Sequence, residues 1–471
     1  MSTEYTLPCS PKYLCEDRFS ILDSDELQVP FWPVFAELLK QPTTTPTQVI
    51  DLLETIAVTL RQKSSTDYGF LRDFMRTKLA PDFFSRTWPS VVDLSLQLPV
   101  LFPICTLPIL SAGQASLQLT RRQAACLVTH QFLCTLAAPT WQDGYQDFHI
   151  WYSAEQPHAR AVDAYLTALF KYFDRLGGPA ETTPLSCSAK VWPITYTLTD
   201  NDEPANHAAE YLIPFETQHL DAASTAPFLL GLPDGASVIS ANKFIGFGRT
   251  GTQDEVHVGC SPEACPAVLV TPPLGDGDVM VVVGAEAMIT IEGYGRTAQC
   301  GEVLPPPLSE NAHDHRELWS KRTMLFMDAL ELDLEGRDEG LPDLQPGKVE
   351  RELRKAYTAF RSSQNTSSGQ RFNVVNTGFW GCRTFGGNPS VKTMIQWCAA
   401  SKAGCGSMEF ICSGEEQEAF GKRMMLFVDA VRMLRVKTTV LESVLLELLT
   451  QDVSPGEDAL DVVLVRLKAK S

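Results

Sequence analysis

Apolar residues in the first third of the chain recur at helical spacing. From Thr47 to Gln62, Val49, Leu52, Leu53, Ile56, Val58 and Leu60 form one broad face, which predicts a helix. Thr120-Arg121-Arg122-Gln123 has the form of a capping box and predicts a second helix running on through Ala124 to Leu136. A third spans Arg160 to Leu176 and stops at Gly177-Gly178-Pro179, so Gly177 to Pro184 is expected to be a linker. Beyond residue 190 the pattern shortens. Val191 to Leu198, Val268 to Thr271, Val279 to Val283, Met288 to Ile291, Met324 to Met327 and Met408 to Cys412 are predicted strands. Helical segments lie among them at Lys348 to Phe360, Val391 to Ser401 and Glu415 to Leu434.

Strands alternating with helices predict an α/β domain with a parallel or mixed sheet. The expected division is a helical domain over residues 1–185 and a sheet domain over 186–471. Ser362 to Gly369 is a loop by composition, while Pro305-Pro306-Pro307 and the acidic stretch Glu331 to Asp343 are expected to be surface insertions. There is no internal repeat.

Composition narrows the class. With 471 residues, 44 % of them hydrophobic, the chain can build sizeable cores in two or three domains. The longest apolar stretch, Leu94 to Leu110, is broken by Pro99, Pro103 and Pro108, so no membrane span is expected. The N-terminus lacks a basic start and an apolar signal core, and the thirteen scattered cysteines contain no CxxC pair. These features predict free, mostly buried thiols and a nuclear or cytoplasmic setting. A net charge of −18 disfavours a binder that neutralises nucleic-acid phosphates broadly. An anionic ligand would need a local site built from backbone N–H groups and a few placed arginines.

Two glycine-rich stretches could supply such a site: Ala241 to Glu255 and Thr377 to Pro389. Each follows a plausible strand and precedes a plausible helix. Glycines there let backbone N–H groups turn toward an anion at a helix N-terminus. A purely structural turn explains either stretch taken alone, and neither matches a Walker loop or a dinucleotide fingerprint. The first ends in Gln253-Asp254-Glu255. Adjacent residues do not face each other on a helix, so Asp254 and Glu255 need not be the facing carboxylate pair of ordinary glycosidases. One carboxylate performing both proton transfers is the simpler chemistry.

At these residues the chain resembles the poly(ADP-ribose) glycohydrolase family. Ala241-Asn242-Lys243-Phe244, then Gly246-Phe247-Gly248 and Gln253-Asp254-Glu255, is similar to the family's first signature. Thr377-Gly378-Phe379-Trp380-Gly381-Cys382-Arg383-Thr384-Phe385-Gly386-Gly387 is similar to its diphosphate loop. Arg351-Glu352-Leu353 with Lys355-Ala356-Tyr357, Gly293-Tyr294, and Leu119 to Leu136 add further matches. The likeness runs over most of residues 95 to 450. There are departures. Phe247 replaces the middle glycine, Asp254 a glutamate, Ile239 an aspartate and Phe379 an asparagine. The loop after Gly248 is about three residues shorter, and the aromatic usually near Cys412 or Ser413 is missing.

The resemblance implies a macrodomain-like mixed sheet flanked by helices, of α+β or α/β class, packed on an N-terminal helical accessory domain. It implies hydrolysis of ribose–ribose bonds in poly(ADP-ribose), with Glu255 as general acid and base and Asp254 beside a ribose hydroxyl. Asn242 would hold the ribose and Gln253 would complete the signature. Gly246, Phe247, Gly248 and Arg249 would form the first phosphate loop; Gly381, Cys382, Arg383, Thr384, Phe385 and Gly386 would form the second. Tyr294 would stack on adenine. Each role has a plainer alternative: a helix-start carboxylate for Asp254, core aromatics for Tyr294 and Phe385, solvated arginines for Arg249 and Arg383. No cofactor and no metal site is expected. The implied partners are poly(ADP-ribose) and ADP-ribosylated proteins, with no direct DNA or membrane contact, in a monomer serving the DNA damage response. A non-catalytic ADP-ribose reader and a mono-ADP-ribosyl-protein hydrolase remain the alternatives.

Overall fold

The computed structural model describes residues 3–17, 22, 28–60, 67–113, 116–141, 145–176, 192–200, 209–220, 225–306, 312–333, 340–362, 371–454 and 456–470. The expected linker and the boundary at 185 fall in 177–191, outside the described residues, as does most of the expected loop after Ser362.

The N-terminal part is helical, as its periodicity predicts. Thr45 caps the helix Pro46–Glu54 through a box with Gln48, and the chain then widens into a π-helical stretch, Thr55–Leu60. The second capping box is present as well. Gln123 N donates to Thr120 Oγ1 (3.2 Å), and Thr120 N donates back to Gln123 Oε1 (2.9 Å), opening helix Arg121–Phe132. Helix Ala159–Leu176 buries Val162, Tyr165, Leu166, Leu169 and Phe173 at i, i+3, i+4 spacing, which makes it the scaffold of this part. β1 (Glu4–Thr6), β2 (Leu14–Cys15), β3 (Val29–Pro30) and β4 (Thr106–Pro108) form two small ribbons, β1 with β4 and β2 with β3.

The main sheet has eight strands: β5 (Leu117–Leu119), β6 (Ile194–Thr199), β7 (Phe215–Leu220), β8 (Gly235–Ala241), β9 (Val279–Val283), β12 (Thr323–Asp328), β13 (Val374–Thr377) and β14 (Ser407–Ser413). β10 (Ile289–Glu292) and β11 (Gln299–Val303) make a separate hairpin. The order in the main sheet is β5-β6-β9-β12-β8-β13-β14-β7. β12, β8, β13, β14 and β7 run parallel, while β9, β6 and β5 are antiparallel to their neighbours. The sheet is therefore mixed, and its first edge strand comes from the helical part of the chain.

Two cores sit on opposite faces. Ile239 and Ala241 of β8 join the core shared with the helical part, including Phe132, Trp151 and Val256. Ala236 and Val238 join the other, with Val375, Met394, Trp397 and Phe427. This alternation follows from the two-residue period of a strand.

Two expectations need correction. Val268 to Thr271 is not a strand: Ala267–Val270 is a short helix starting after Pro266 and buried throughout. A short continuous apolar run fits a buried helix as well as a strand, and hydrophobicity alone cannot separate them. The stretch Glu331 to Asp343 is not simply a surface insertion, because Leu332, Pro342 and Asp343 are buried. Leu332 N donates to Phe385 O (2.8 Å) and Asp343 Oδ2 accepts from Asn388 N (2.8 Å), so its two ends hold the second glycine-rich loop. The thiols agree with expectation: all twelve described cysteines are free, and nine are buried.

Candidate functional site

The two glycine-rich loops leave the carboxyl ends of β8 and β13, which are parallel neighbours with Ser237 opposite Asn376. Crevices outside the carboxyl ends of adjacent parallel strands are where open sheets bind ligands. A cavity of about 380 Å³ opens there, walled by Asn242, by Thr252 to His257, by Gly293 and Tyr294, by Asn376 to Gly381 and by Arg383 to Phe385. Among the described residues, no three His, Cys, Asp or Glu side chains gather as metal ligands.

Glu255 lies in the first turn of helix Gln253–Gly259. Its Oε2 accepts from Thr250 N (2.6 Å) and Thr252 N (3.4 Å), and Thr250 Oγ1 donates to Oε1 (3.0 Å). A Cβ on Gly248 would lie 1.9 Å from Glu255 Oε1, so a side chain there would push the carboxylate from its place. Asp254 accepts from Thr252 Oγ1 (2.7 Å), and burial pushes its carboxyl up to about 6, with the neighbouring Glu255 charge adding to the rise. Gln253 is held by the strand end: Ser240 N donates to its Oε1 (3.2 Å) and its Nε2 donates to Val238 O (3.3 Å). Asn242 is exposed at the rim and accepts from Phe244 N (3.0 Å).

The rest of the first loop turns away from the cavity. Phe247 is buried, with its ring centroid 5.1 Å from Phe148 and 5.4 Å from Trp151. Trp151 Nε1 donates to Gly248 O (2.7 Å). Phe247 therefore anchors the loop to the helical part. Gly246, Gly248 and Arg249 are not among the cavity walls either, and Arg249 is exposed. Gly295 N donates to Gly251 O (2.8 Å), which ties the Tyr294 turn to this loop. The Arg383 guanidinium lies 5.1 Å from the Tyr294 ring centre, so residues from both sides of the cavity meet there.

The second loop rests on buried charge. Gly381 has φ +71°, a left-handed conformation that a side chain strains, and a Cβ there would meet Ala329 Cβ at 2.5 Å. Beneath it, Lys392 Nζ pairs with Glu352 (2.5 Å) and lies 3.8 Å from Asp343. Arg351 joins Glu352 (2.8 Å) to Asp328 (2.6 Å), and Lys355 also pairs with Asp328 (2.6 Å). Thr384 and Phe385 reach the cavity wall; Cys382 and Gly386 do not. Burial pushes the Cys382 thiol far up, so it is a neutral packing group. Phe379 faces the cavity and packs on Phe410 (5.0 Å) and Phe420 (5.2 Å).

Comparison with known proteins places this arrangement. Residues 232–420 match the family model described as poly(ADP-ribose) glycohydrolase, macro domain fold, and residues 75–189 match its helical-domain model. The chain belongs to the poly(ADP-ribose) glycohydrolase family. Poly(ADP-ribose) glycohydrolase 1 of Arabidopsis thaliana is 21 % identical over 422 residues, covering 73 % of this chain and 75 % of that protein. Poly(ADP-ribose) glycohydrolase 2 of Caenorhabditis elegans is 29 % identical over 165 residues, and its relative 1 from the same organism is 26 % identical over 170. The matches span 33 % and 21 % of the lengths of those two worm proteins. A solved poly(ADP-ribose) glycohydrolase from Deinococcus radiodurans, in complex with ADP-ribose, aligns over 45 % of this chain and 82 % of its own at 12 % identity, with a TM-score of 0.29.

Within this family fold, the cavity wall includes residues that motif matching did not single out. Thr225, Leu229 and Ile291 come from segments far from either loop. Asn376 immediately precedes the second loop, and His257 follows Glu255 by two positions. Burial, with the Arg322 charge nearby, pushes the His257 imidazole down to about 3 and keeps it neutral. Position was the available signal: a polar residue at a strand's carboxyl end, beside a glycine-rich loop, faces whatever that loop holds.

Proposed function

We propose that this chain hydrolyses ribose–ribose O-glycosidic bonds of poly(ADP-ribose), releasing ADP-ribose, with Glu255 as the single general acid and base. Membership of the family supports the substrate class. The observation that carries the residue assignment is the Glu255 carboxylate, fixed in the cavity wall by the Thr250 and Thr252 N–H groups, beside a glycine that leaves it room.

In this reading Glu255 protonates the leaving ribose oxygen as the glycosidic bond breaks. The resulting carboxylate then takes a proton from water as the water oxygen bonds to the oxocarbenium-like carbon. The net reaction adds one water across one glycosidic bond and returns Glu255 to its starting state. Asp254, half-buried and raised to about 6, would engage a ribose hydroxyl. Thr384 and the backbone of the second loop would hold the diphosphate. Tyr294 would present its ring to adenine once Arg383 turns toward the phosphates, which an arginine fork suits. No described helix is long and apolar enough to cross a membrane, and a nuclear or cytoplasmic place of work fits the substrate.

One observation favours a second reading, a non-catalytic ADP-ribose reader. All three donors around Glu255 belong to its own loop, which is what a helix-capping carboxylate needs and nothing more. Incubation of the purified chain with automodified polymer, with and without a chelator, separates the two. Release of ADP-ribose in both arms supports the glycohydrolase; retention of polymer without shortening supports the reader. Release only when a divalent ion is restored would contradict the metal-free mechanism.

A further inference from the structure

The polar side chains that wall the inner end of the cavity are nearly all spent on the protein itself. Ser237 Oγ donates to Leu229 O (2.6 Å), Thr225 Oγ1 accepts from Ile291 N (2.7 Å), and both ends of the Gln253 amide bond to β8 backbone. Asn376 differs. It is 5 % exposed, it forms part of the same wall, and its Oδ1 has no hydrogen-bond partner, as the buried His257 Nδ1 of that wall also has none. A buried amide oxygen left unpaired costs the fold free energy unless something arrives to pair with it. Val375 packs into the core on the opposite face of the sheet, so the strand's alternation turns Asn376 toward the core that Ile239 and Ile291 share. The same wall offers Leu229 and Ile291 as apolar surface, and its polar Ser237 and Thr225 are already paired. A flat heteroaromatic ring with one polar edge fits such a place; a diphosphate or a hydroxylated sugar does not.

We propose that Asn376 is a specificity-determining residue that reads the edge of the adenine base, pairing its amide with the 6-amino group and an adjacent ring nitrogen. The inference rests on the ADP-ribose reading given above and extends it to the base. An asparagine amide offers one acceptor and two donors in one plane, the pattern that matches adenine's donor and acceptor side by side. Gln253 cannot serve in its place, because its amide is already committed to Val238 and Ser240.

The test is calorimetric binding of two probes, ADP-ribose and its analogue in which hydrogen replaces the 6-amino group. Wild type and Asn376→Ala are compared, with Asn376→Leu as a packing control. The expected result is roughly tenfold tighter binding of ADP-ribose than of the analogue by wild type, in line with the discrimination a paired amide gives, and a ratio near one in both variants. Each ratio is taken within one protein preparation, so a loss of folded fraction does not move it. Equal binding of both probes by wild type overturns the role of Asn376 and leaves the ADP-ribose site standing, as does an undiminished ratio in Asn376→Ala. Failure of wild type to bind either probe overturns the reading on which the inference rests.

Discussion

The two loops that flank the cavity are built alike and held differently. Each leaves a central parallel strand and enters a helix. The first is held by apolar packing and by one carboxylate: Phe247 among Phe148 and Trp151, and Glu255 collecting the N–H groups of Thr250 and Thr252. The second is held by a buried chain of ion pairs from Lys355 through Asp328, Arg351 and Glu352 to Lys392 and Asp343. Apolar packing tolerates small shifts. A buried charge whose partner is removed does not, because the remaining ion has neither water nor counter-charge. The first loop is thus anchored from outside the cavity by Phe247, while its catalytic candidate is held by the loop's own N–H groups. The second depends on a fixed set of charges that lie outside the loop itself.

Substitutions can break this contrast. The largest effect is expected from Gly248→Ala, whose methyl would collide with the Glu255 carboxylate. Turnover of polymer should fall on the order of 10²-fold, as displacement of a reacting group by about 1 Å does. Steady-state kinetics read this, and wild-type turnover would show that the carboxylate has room to move. Next is Lys392→Met, which keeps the side-chain length, removes the cation beside Asp343 and leaves Glu352 with Arg351 alone in the interior. A loss of about 3–5 kcal/mol in denaturant unfolding is expected. A loss under about 1 kcal/mol would mean that Arg351 alone satisfies Glu352.

A smaller effect sharpens the account of the first loop through pH. Burial raises the Asp254 carboxyl from 3.8 to about 6, so the folded state holds this proton more tightly than the unfolded chain does. The stability this group contributes is therefore present at low pH and is lost as pH rises from about 4 to 6. Asp254→Asn cannot ionise and should lack that loss. The variant should match wild type near pH 4 and exceed it by roughly 1–3 kcal/mol at pH 7, since each tenfold change in proton affinity is worth about 1.4 kcal/mol. Equal pH–stability curves would show that Asp254 is solvated.

The sequence made much of the fold legible where periodicity and capping agree. Thr120 with Gln123, Ala159–Leu176 and Gln253 to Glu255 lie where local pattern places them. The mixed sheet followed from the alternation of strands and helices. What stayed hidden depended on partners distant in sequence. Phe247 in a glycine-rich loop looks like a changed ligand contact until Trp151, ninety-six positions earlier, is seen beside it. Glu352 and Lys355 look like the charged face of an exposed helix, yet both are buried because Lys392 and Asp328 meet them. Asn376 carries no motif at all, and its meaning comes from what fails to bond to it.

The central claim is that one carboxylate, fixed by the first loop, does the chemistry while Asp254, Tyr294 and the second loop do the binding. Glu255→Gln tests it most directly, because glutamine keeps the shape and removes the transferable proton. Polymer turnover and ADP-ribose affinity should be measured on the same preparation. The account predicts turnover reduced by about 10²–10⁴-fold with the ADP-ribose dissociation constant nearly unchanged. Near-normal hydrolysis by Glu255→Gln would contradict it.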